Sequence, residues 1–151
     1  MKNLATDRTS LRYASAALFN FVFMLCVNAH SVWRPWLGGV VTEAFGQVVW
    51  AINVGLVVQI FGDLMLSVTH PRPLERFVEF LGSIAAVLGA VVFYRVLPLD
   101  LERFGHLVPV GARLAMFAVV LATALAVVVN FARFMQATRG NDEHRQTPLH
   151  T

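Results

Sequence analysis

The residues of this sequence that could do chemistry inside a membrane lie in one apolar stretch, residues 45–68. This stretch carries four strongly polar side chains, which are Gln47, Asn53, Gln59 and Asp63. Lipid cannot satisfy the hydrogen-bonding groups of such side chains, so they must face other protein, water or a ligand. They predict an intramembrane polar face that could line a path for an ion or a small polar solute.

A charged layer is predicted near the end of this stretch. Two prolines within residues 69–73 end the segment in a tight turn, so the returning segment places Glu79 at about the depth of Asp63. The predicted layer comprises Asp63, Arg76, Glu79 and Arg133. These groups could relay a proton or a cation, or could pair as ions that fix the register of the helices. Asp63 is about one turn from its helix end, where water has access, and this favours the ion-paired interpretation.

A second set of charges is expected at the opposite end of the segments. Glu43 precedes the stretch 45–68, Arg95 ends the third apolar segment and Arg113 begins the fourth. We expect these three groups to pair with one another and to orient the helix ends, as ion pairs at such boundaries commonly do.

Histidine and cysteine patterns do not indicate a metal or haem site. Haem held between helices needs histidines that face one another inside the spans, but none of the five histidines lies well inside an apolar segment. His30 and His106, in two loops at the same end, are the weak candidates for such a pair. The single cysteine, Cys26, excludes a cysteine cluster. We therefore expect no metal and no cofactor.

The composition of the 151-residue chain is that of a membrane protein, with 57% hydrophobic and 14% charged residues and a mean hydropathy of +0.64. A soluble domain of this length cannot bury so many apolar residues in one core. Four segments are long enough to cross a hydrocarbon layer of roughly 30 Å. They are residues 13–29, 45–68, 74–96 and 112–135. Residues 1–12 form a short polar tail, and residues 136–151 form a polar tail that we expect to be disordered.

Small residues at every fourth position predict how the segments pack. One row lies in the third segment and another in the fourth, and they comprise Gly82, Ala86 and Ala90, and Ala118, Ala122 and Ala126. Such rows let helix backbones approach closely, either within one chain or between chains. With short loops and no additional domain, the sequence predicts an all-α integral membrane protein with four transmembrane helices in an up-down-up-down bundle.

The distribution of basic residues predicts the orientation. Eight of the 12 Lys and Arg residues fall on the side of both termini and four fall on the other side. The positive-inside tendency therefore predicts a multi-pass protein of the plasma (inner) membrane with both termini in the cytoplasm. The basic residues are not clustered on a soluble face, so nucleic acid is not an expected partner. The expected partners are the lipid bilayer and another membrane protein or further copies of this chain.

Three functions remain compatible with these features. The sequence contains no nucleophile elbow, phosphate-binding glycine loop or Ser/His/Asp grouping, so we expect no enzymatic activity. The leading hypothesis is an accessory, assembly or stabilising subunit that packs on a larger membrane complex or self-associates. One alternative is a small transporter or channel that uses the polar residues of the stretch 45–68. A further alternative is a haem-linked electron-transfer anchor.

Overall fold

The computed structural model describes the backbone of residues 2–69 and 71–145, and the side chains of residues 9–69, 71–102 and 104–138. Over these residues the chain forms five α-helices, which are α1 (Lys2–Asn28), α2 (His30–Trp33), α3 (Gly46–Val68), α4 (Arg72–Val96) and α5 (Leu107–Arg145). Short 3-10 turns lie in the loops at Arg34–Leu37, Glu43–Phe45 and Glu102–Phe104. Every helix except the one-turn α2 is long and apolar enough to cross a membrane.

Consecutive long helices run in opposite directions. Along α1 and α3, Asn20 lies beside Asp63, whereas Asn28 lies beside Asn53. Residue numbers thus rise along one helix as they fall along the other, and the contacts of α3 with α4 and of α4 with α5 follow the same pattern. The prediction of an all-α, four-helix, multi-pass membrane protein is confirmed.

Glycine sets the separation of α3 and α4. A Cβ atom at Gly62 would overlap Cγ1 of Val78 on α4, and a Cβ at Gly55 would lie 3.9 Å from the Cβ of Ala85. Gly62 and Ala85 are both buried. Small residues at these positions let the two backbones approach closely, which strengthens van der Waals packing where no hydrophobic effect acts between helices.

Aromatic side chains join α4 to α5. The ring of Phe80 lies 5.4 Å from that of Phe131 and 6.4 Å from that of Phe134. Nearer the opposite end, Tyr94 lies 6.3 Å from Phe117. These separations are within the range in which aromatic pairs attract one another. The helix pairs α1–α3, α3–α4 and α4–α5 form the extensive interfaces, so packing follows the order of the helices along the chain.

The two long loops, residues 29–45 and 97–106, meet at one end of the bundle, which we call the loop end. Residues 40–42 pair with residues 98–100 through backbone hydrogen bonds of 3.0 and 2.8 Å and an isolated antiparallel bridge. We call the opposite end, where α1 begins and α5 leaves the bundle, the terminal end. The loop pairing links the start of α3 to the end of α4.

The outer helices are longer than their apolar segments. α1 begins at Lys2, within the predicted tail 1–12, and α5 extends from Leu107 to Arg145. Residues 136–145, which were expected to be disordered, are therefore helical, whereas residues 146–151 lie outside the described part of the chain. Hydropathy marks where a segment leaves the bilayer but not where its helix stops. The sequence has no proline between Pro109, which suits a first helical turn, and Pro148.

Candidate functional site

All four long helices surround a cavity of about 440 Å³ at the terminal end, which we call the terminal cavity. Its polar lining consists of Arg12, Tyr13, Gln59, Asp63, Glu75, Glu79, Ser83 and Asn130. α1 contributes the first two of these side chains, α3 the next two and α5 the asparagine. The cavity therefore brings together polar side chains from α1, α3, α4 and α5.

Each of the three carboxylates of the terminal cavity accepts a hydrogen bond from a different kind of donor. The amide of Asn20 donates to Asp63 over 3.3 Å. The hydroxyl of Tyr13 donates to Glu75 over 3.1 Å. The guanidinium of Arg76 donates to Glu79 over 2.6 Å and forms an ion pair with it. The carboxylates are thus held by α1 and by a neighbour on α4, which fixes their positions around the cavity.

The predicted charged layer is only partly assembled. Arg76 and Glu79 form the expected ion pair, and Asp63 lines the same cavity as Glu79. Asp63 itself makes no ion pair among the described residues, since its side chain is held by Asn20. The side chain of Arg133 is exposed, and this residue does not belong to the lining of the terminal cavity.

The predicted polar face of α3 is divided among different surroundings. Gln59 and Asp63 line the terminal cavity. Asn53 instead exchanges two hydrogen bonds with Asn28 of α1, of 2.9 and 3.0 Å. Gln47 is exposed. Helical periodicity accounts for the division, because the step of six positions from Gln47 to Asn53 turns the side chain by about 240° around the axis.

A second cavity, of about 330 Å³, lies toward the middle of the bundle and is mostly apolar, with Asn20 and Gln59 as its polar lining residues. It lies between α1, α3 and α4 and shares Gln59, Gly82 and Ala86 with the terminal cavity. Gly82 has no side chain to fill this space, and a Cβ there would lie 3.6 Å from Nε2 of Gln59. Gly82 and Ala86, two members of the predicted packing row in α4, therefore border a cavity and do not form a close contact between helices.

Several residues of this site were not predicted from the sequence, among them Tyr13, Asn20 and Glu75, which form two of its hydrogen bonds. The spacing of these residues along their helices could have indicated each of them. Tyr13 and Asn20 are seven residues apart and so lie on one face of α1. Glu75 precedes Glu79 by four residues and shares its face of α4. Residue spacing does not indicate that the polar face of α1 lies against α3.

The two predicted rows of small residues have different positions. In α4, Ala90 is buried, Ala86 is exposed and both border a cavity of about 350 Å³ between α3, α4 and α5. In α5, Ala118 and Ala122 are exposed and Ala126 is half-buried. α5 contacts α4 through another side, which carries Phe117, Phe131 and Phe134.

At the loop end, Glu43, Arg95 and Arg113 do not form the predicted ion pairs, and the two candidate histidines lie in different surroundings. Glu43 pairs with Arg34 at 3.4 Å instead of with Arg95 or Arg113. The ring of His30 packs on Phe45 at 5.7 Å, and its buried Nδ1 has no hydrogen-bond partner among the described residues. His106 is exposed and borders a cavity with Glu102 and Arg113. These different surroundings do not favour a ligand shared by His30 and His106.

Comparison with known proteins does not assign a family. No protein-family model, curated protein or solved structure matches this chain. In the described part of the chain, no group of three or more His, Cys, Asp or Glu side chains could hold a metal ion. Function must therefore be inferred from the geometry of the bundle.

The terminal cavity has the chemistry of a site for a cation or a proton. Three carboxylates surround it, and the ion pair with Arg76 neutralises only one of them, Glu79. Arg12 at the edge supplies a further positive charge. Gln59 adds an amide that can donate and accept hydrogen bonds at the inner end. Carboxylates at this depth hold positive charge more strongly than they would in water.

Proposed function

We propose that this chain is a non-enzymatic accessory, assembly or stabilising subunit that packs through α5 against a helix of another membrane protein or of a second copy. The contact surface is the row Ala118, Ala122 and Ala126, which we call the alanine row. Its proposed location is the plasma (inner) membrane, with both termini in the cytoplasm, as the distribution of Lys and Arg favours.

The exposure of the alanine row is the observation on which this proposal rests. Ala118 and Ala122 are exposed, although α5 packs extensively on α4. Ala122 precedes Phe131 by nine residues, which places these two side chains on opposite sides of α5. The alanine row therefore faces away from the aromatic contact with α4. Contact with lipid does not require small residues, whereas close contact with a second helix does.

The surroundings of the alanine row fit a contact between helices. Large apolar side chains flank it, and Leu114, Leu121 and Leu125 on α5 are among those that are exposed. A shallow groove between larger side chains is the form that accepts the ridge of a neighbouring helix. The interior polar groups of the chain, by contrast, are largely held within it, because Asn53 pairs with Asn28 and Asp63 accepts from Asn20.

Enlarging the alanine row tests this function. In Ala118→Leu and Ala122→Leu, the groove is filled, and association should weaken about tenfold or more because overpacking costs about 1–3 kcal/mol. The matched control is Ala132→Leu, an exposed alanine that lies about 80° from Ala122 around α5 and outside the aromatic contact with α4. Association is measured by energy transfer between labelled chains in vesicles and by recovery of partners from gently solubilised membranes. A wild-type chain that stays monomeric and recovers no membrane protein would refute the proposal.

The terminal cavity supports a second candidate, a small transporter or channel for protons or cations. The terminal cavity and the second cavity share Gln59, and the second, mostly apolar cavity adds Asn20 toward the middle of the bundle. Transport should then depend on Asp63 and Glu79. Flux of protons and of K⁺ into vesicles containing the purified chain should fall in Asp63→Asn and Glu79→Gln but not in Gln47→Leu, which alters an exposed side chain. Flux that is unchanged in both carboxylate variants would exclude this candidate.

A further inference from the structure

A cavity of about 460 Å³ lies at the loop end, between the end of α4, the start of α5 and the loop that joins them. We call it the loop-end cavity. Charged side chains line it, and two of them are the guanidinium groups of Arg95 and Arg113. Its size is within the range of about 300–1,000 Å³ that is usual for small-ligand sites. Neither the proposed subunit contact through α5 nor transport through the terminal cavity involves the loop-end cavity.

The frame of the loop-end cavity is built by backbone contacts. Pro98 is fully buried, and the amide of Thr42 donates to its carbonyl oxygen over 3.0 Å. Leu97 has a φ of 37°, in the left-handed region that only glycine adopts readily. Holding a leucine there costs of order 1–3 kcal/mol. The loop therefore has a defined conformation next to Arg95 and gives the cavity a fixed wall.

Within the described part of the chain, neither Arg95 nor Arg113 forms an ion pair. Glu43, the acidic residue expected to neutralise them, pairs with Arg34. Among the described residues, no carboxylate oxygen lies within 4.0 Å of a side-chain nitrogen of Arg95 or Arg113. Two guanidinium groups facing one cavity form a strong site for a phosphate group, because each can donate two parallel hydrogen bonds to its oxygens.

The same cavity also presents two carboxylates, those of Asp100 and Glu102, so its two positive charges are matched by two negative ones. Glu102 borders it, and an adjoining cavity of about 360 Å³ is lined by Glu102, His106 and Arg113. The carboxylate of Glu102 is thus available to accept hydrogen bonds from an ammonium group close to the phosphate position. A purely anionic ligand would gain from the arginines but would be repelled by both carboxylates.

The depth of the loop-end cavity matches that of lipid headgroups. Arg95 lies in the last turn of α4, where the apolar segment ends. Trp36, which is 87% exposed, and exposed Phe104 and Leu107 lie at the same end of the bundle. Exposed aromatic residues at a helix end are typical of the membrane–water interface.

We propose that the loop-end cavity binds a zwitterionic amino-phosphate headgroup, of the phosphoethanolamine type. Arg95 and Arg113 bind the phosphate, and Glu102 accepts hydrogen bonds from the ammonium. The group can come from a membrane phospholipid or from a soluble amino-phosphate, and both sources have the same chemistry. This inference does not rest on the proposed subunit function, because the alanine row lies on a different part of α5.

Lipid titration of the purified full-length chain in detergent, followed by native mass spectrometry, tests this site. The probes are phosphatidylethanolamine, phosphatidylglycerol and diacylglycerol with identical acyl chains. The wild type should prefer phosphatidylethanolamine over the other two lipids. Loss of one charged contact at a membrane surface weakens binding about fivefold, so Arg95→Gln/Arg113→Gln should bind phosphatidylethanolamine about 25-fold more weakly. Arg133→Gln, which removes an exposed arginine at the terminal end, is the matched control and should bind as the wild type does.

Glu102→Gln distinguishes a zwitterion site from a general phosphate site. Because Glu102 is exposed, this variant should fold normally even if the double arginine variant does not. It should lose about fivefold in affinity for phosphatidylethanolamine and gain affinity for phosphatidylglycerol, since one of the two repulsive charges, the other being Asp100, is gone. Competition by free phosphoethanolamine at millimolar concentration would indicate a soluble source, and its failure to compete would indicate the lipid. Equal binding of diacylglycerol, equal loss in Arg133→Gln, or an unchanged lipid preference in Glu102→Gln would overturn the proposal.

Discussion

Replacing Gly62 with alanine tests the close approach of α3 and α4. The added Cβ would overlap Cγ1 of Val78 and would lie 3.3 Å from Cγ2 and 3.4 Å from Cβ of the same side chain. Val78 cannot turn away freely, because a β-branched residue in a helix has one strongly preferred χ1 rotamer. Either the helices separate or Val78 adopts an unfavourable rotamer, and both changes weaken the packing of α3 against α4.

The expected magnitude follows from two opposing effects. Overpacking a close contact costs about 1–3 kcal/mol, whereas replacing glycine by alanine inside a helix gains up to about 1 kcal/mol. Gly62→Ala should therefore lower the free energy of unfolding by about 1 kcal/mol. Gly89→Ala is the matched control, since a Cβ at that position of α4 meets no atom within 4 Å. It should raise the free energy of unfolding by up to about 1 kcal/mol.

The assay is reversible unfolding in mixed micelles as the mole fraction of a denaturing detergent is increased. Gly62→Ala and Gly89→Ala should differ by about 2 kcal/mol in the free energy of unfolding. Val78→Ala removes the overlapping methyl groups, so Gly62→Ala should cost less in that background, and the double-mutant cycle isolates the contact. Equal stability of the two glycine variants, or no effect of Val78→Ala on the cost, would refute the close approach of these helices.

Two further predictions concern the other helix pairs. Asn28→Leu and Asn53→Leu should show a coupling energy of about 1 kcal/mol in a double-mutant cycle. The reason is that each amide loses two hydrogen bonds when its partner is removed. Additive effects of the two substitutions would exclude the pair. Phe80→Ala should lower the free energy of unfolding by about 3 kcal/mol through loss of two ring contacts with α5. Phe19→Ala, at an exposed position of α1, should cost much less, and equal costs would contradict the aromatic packing.

The fold could be predicted from the sequence because the hydropathy of a segment indicates directly whether that segment lies in the hydrocarbon layer of the membrane. The segments 45–68 and 74–96 agree with α3 and α4 to within two residues at each end. Here the bilayer boundary and the helix boundary coincide, since Pro71 and Pro73 break the chain between the two helices. Along α5 no such break exists, so the predicted segment 112–135 is shorter than the helix.

The site could not be predicted in the same way, because it depends on which helix faces lie together. Asp63 was expected to pair with an arginine, but Asn20 of α1 is nearer. Glu43 was expected to pair across helices, but it pairs with Arg34 in its own loop. Sequence spacing gives the face on which a side chain lies on its own helix. It does not give the rotation of that helix relative to its neighbours, and this rotation determines the partners.

The sequential packing of α1, α3, α4 and α5 has a consequence for biosynthesis. Each long helix after α1 meets one of its packing partners already synthesised, so Asp63 of α3 can be held by Asn20 as soon as its helix enters the membrane. Contacts between neighbours in the chain form fast, because little loop entropy is lost. The bundle can therefore assemble from its N-terminus without waiting for its last helix. α5 is then the last of the four long helices to dock, so its alanine row enters the membrane after α1, α3 and α4.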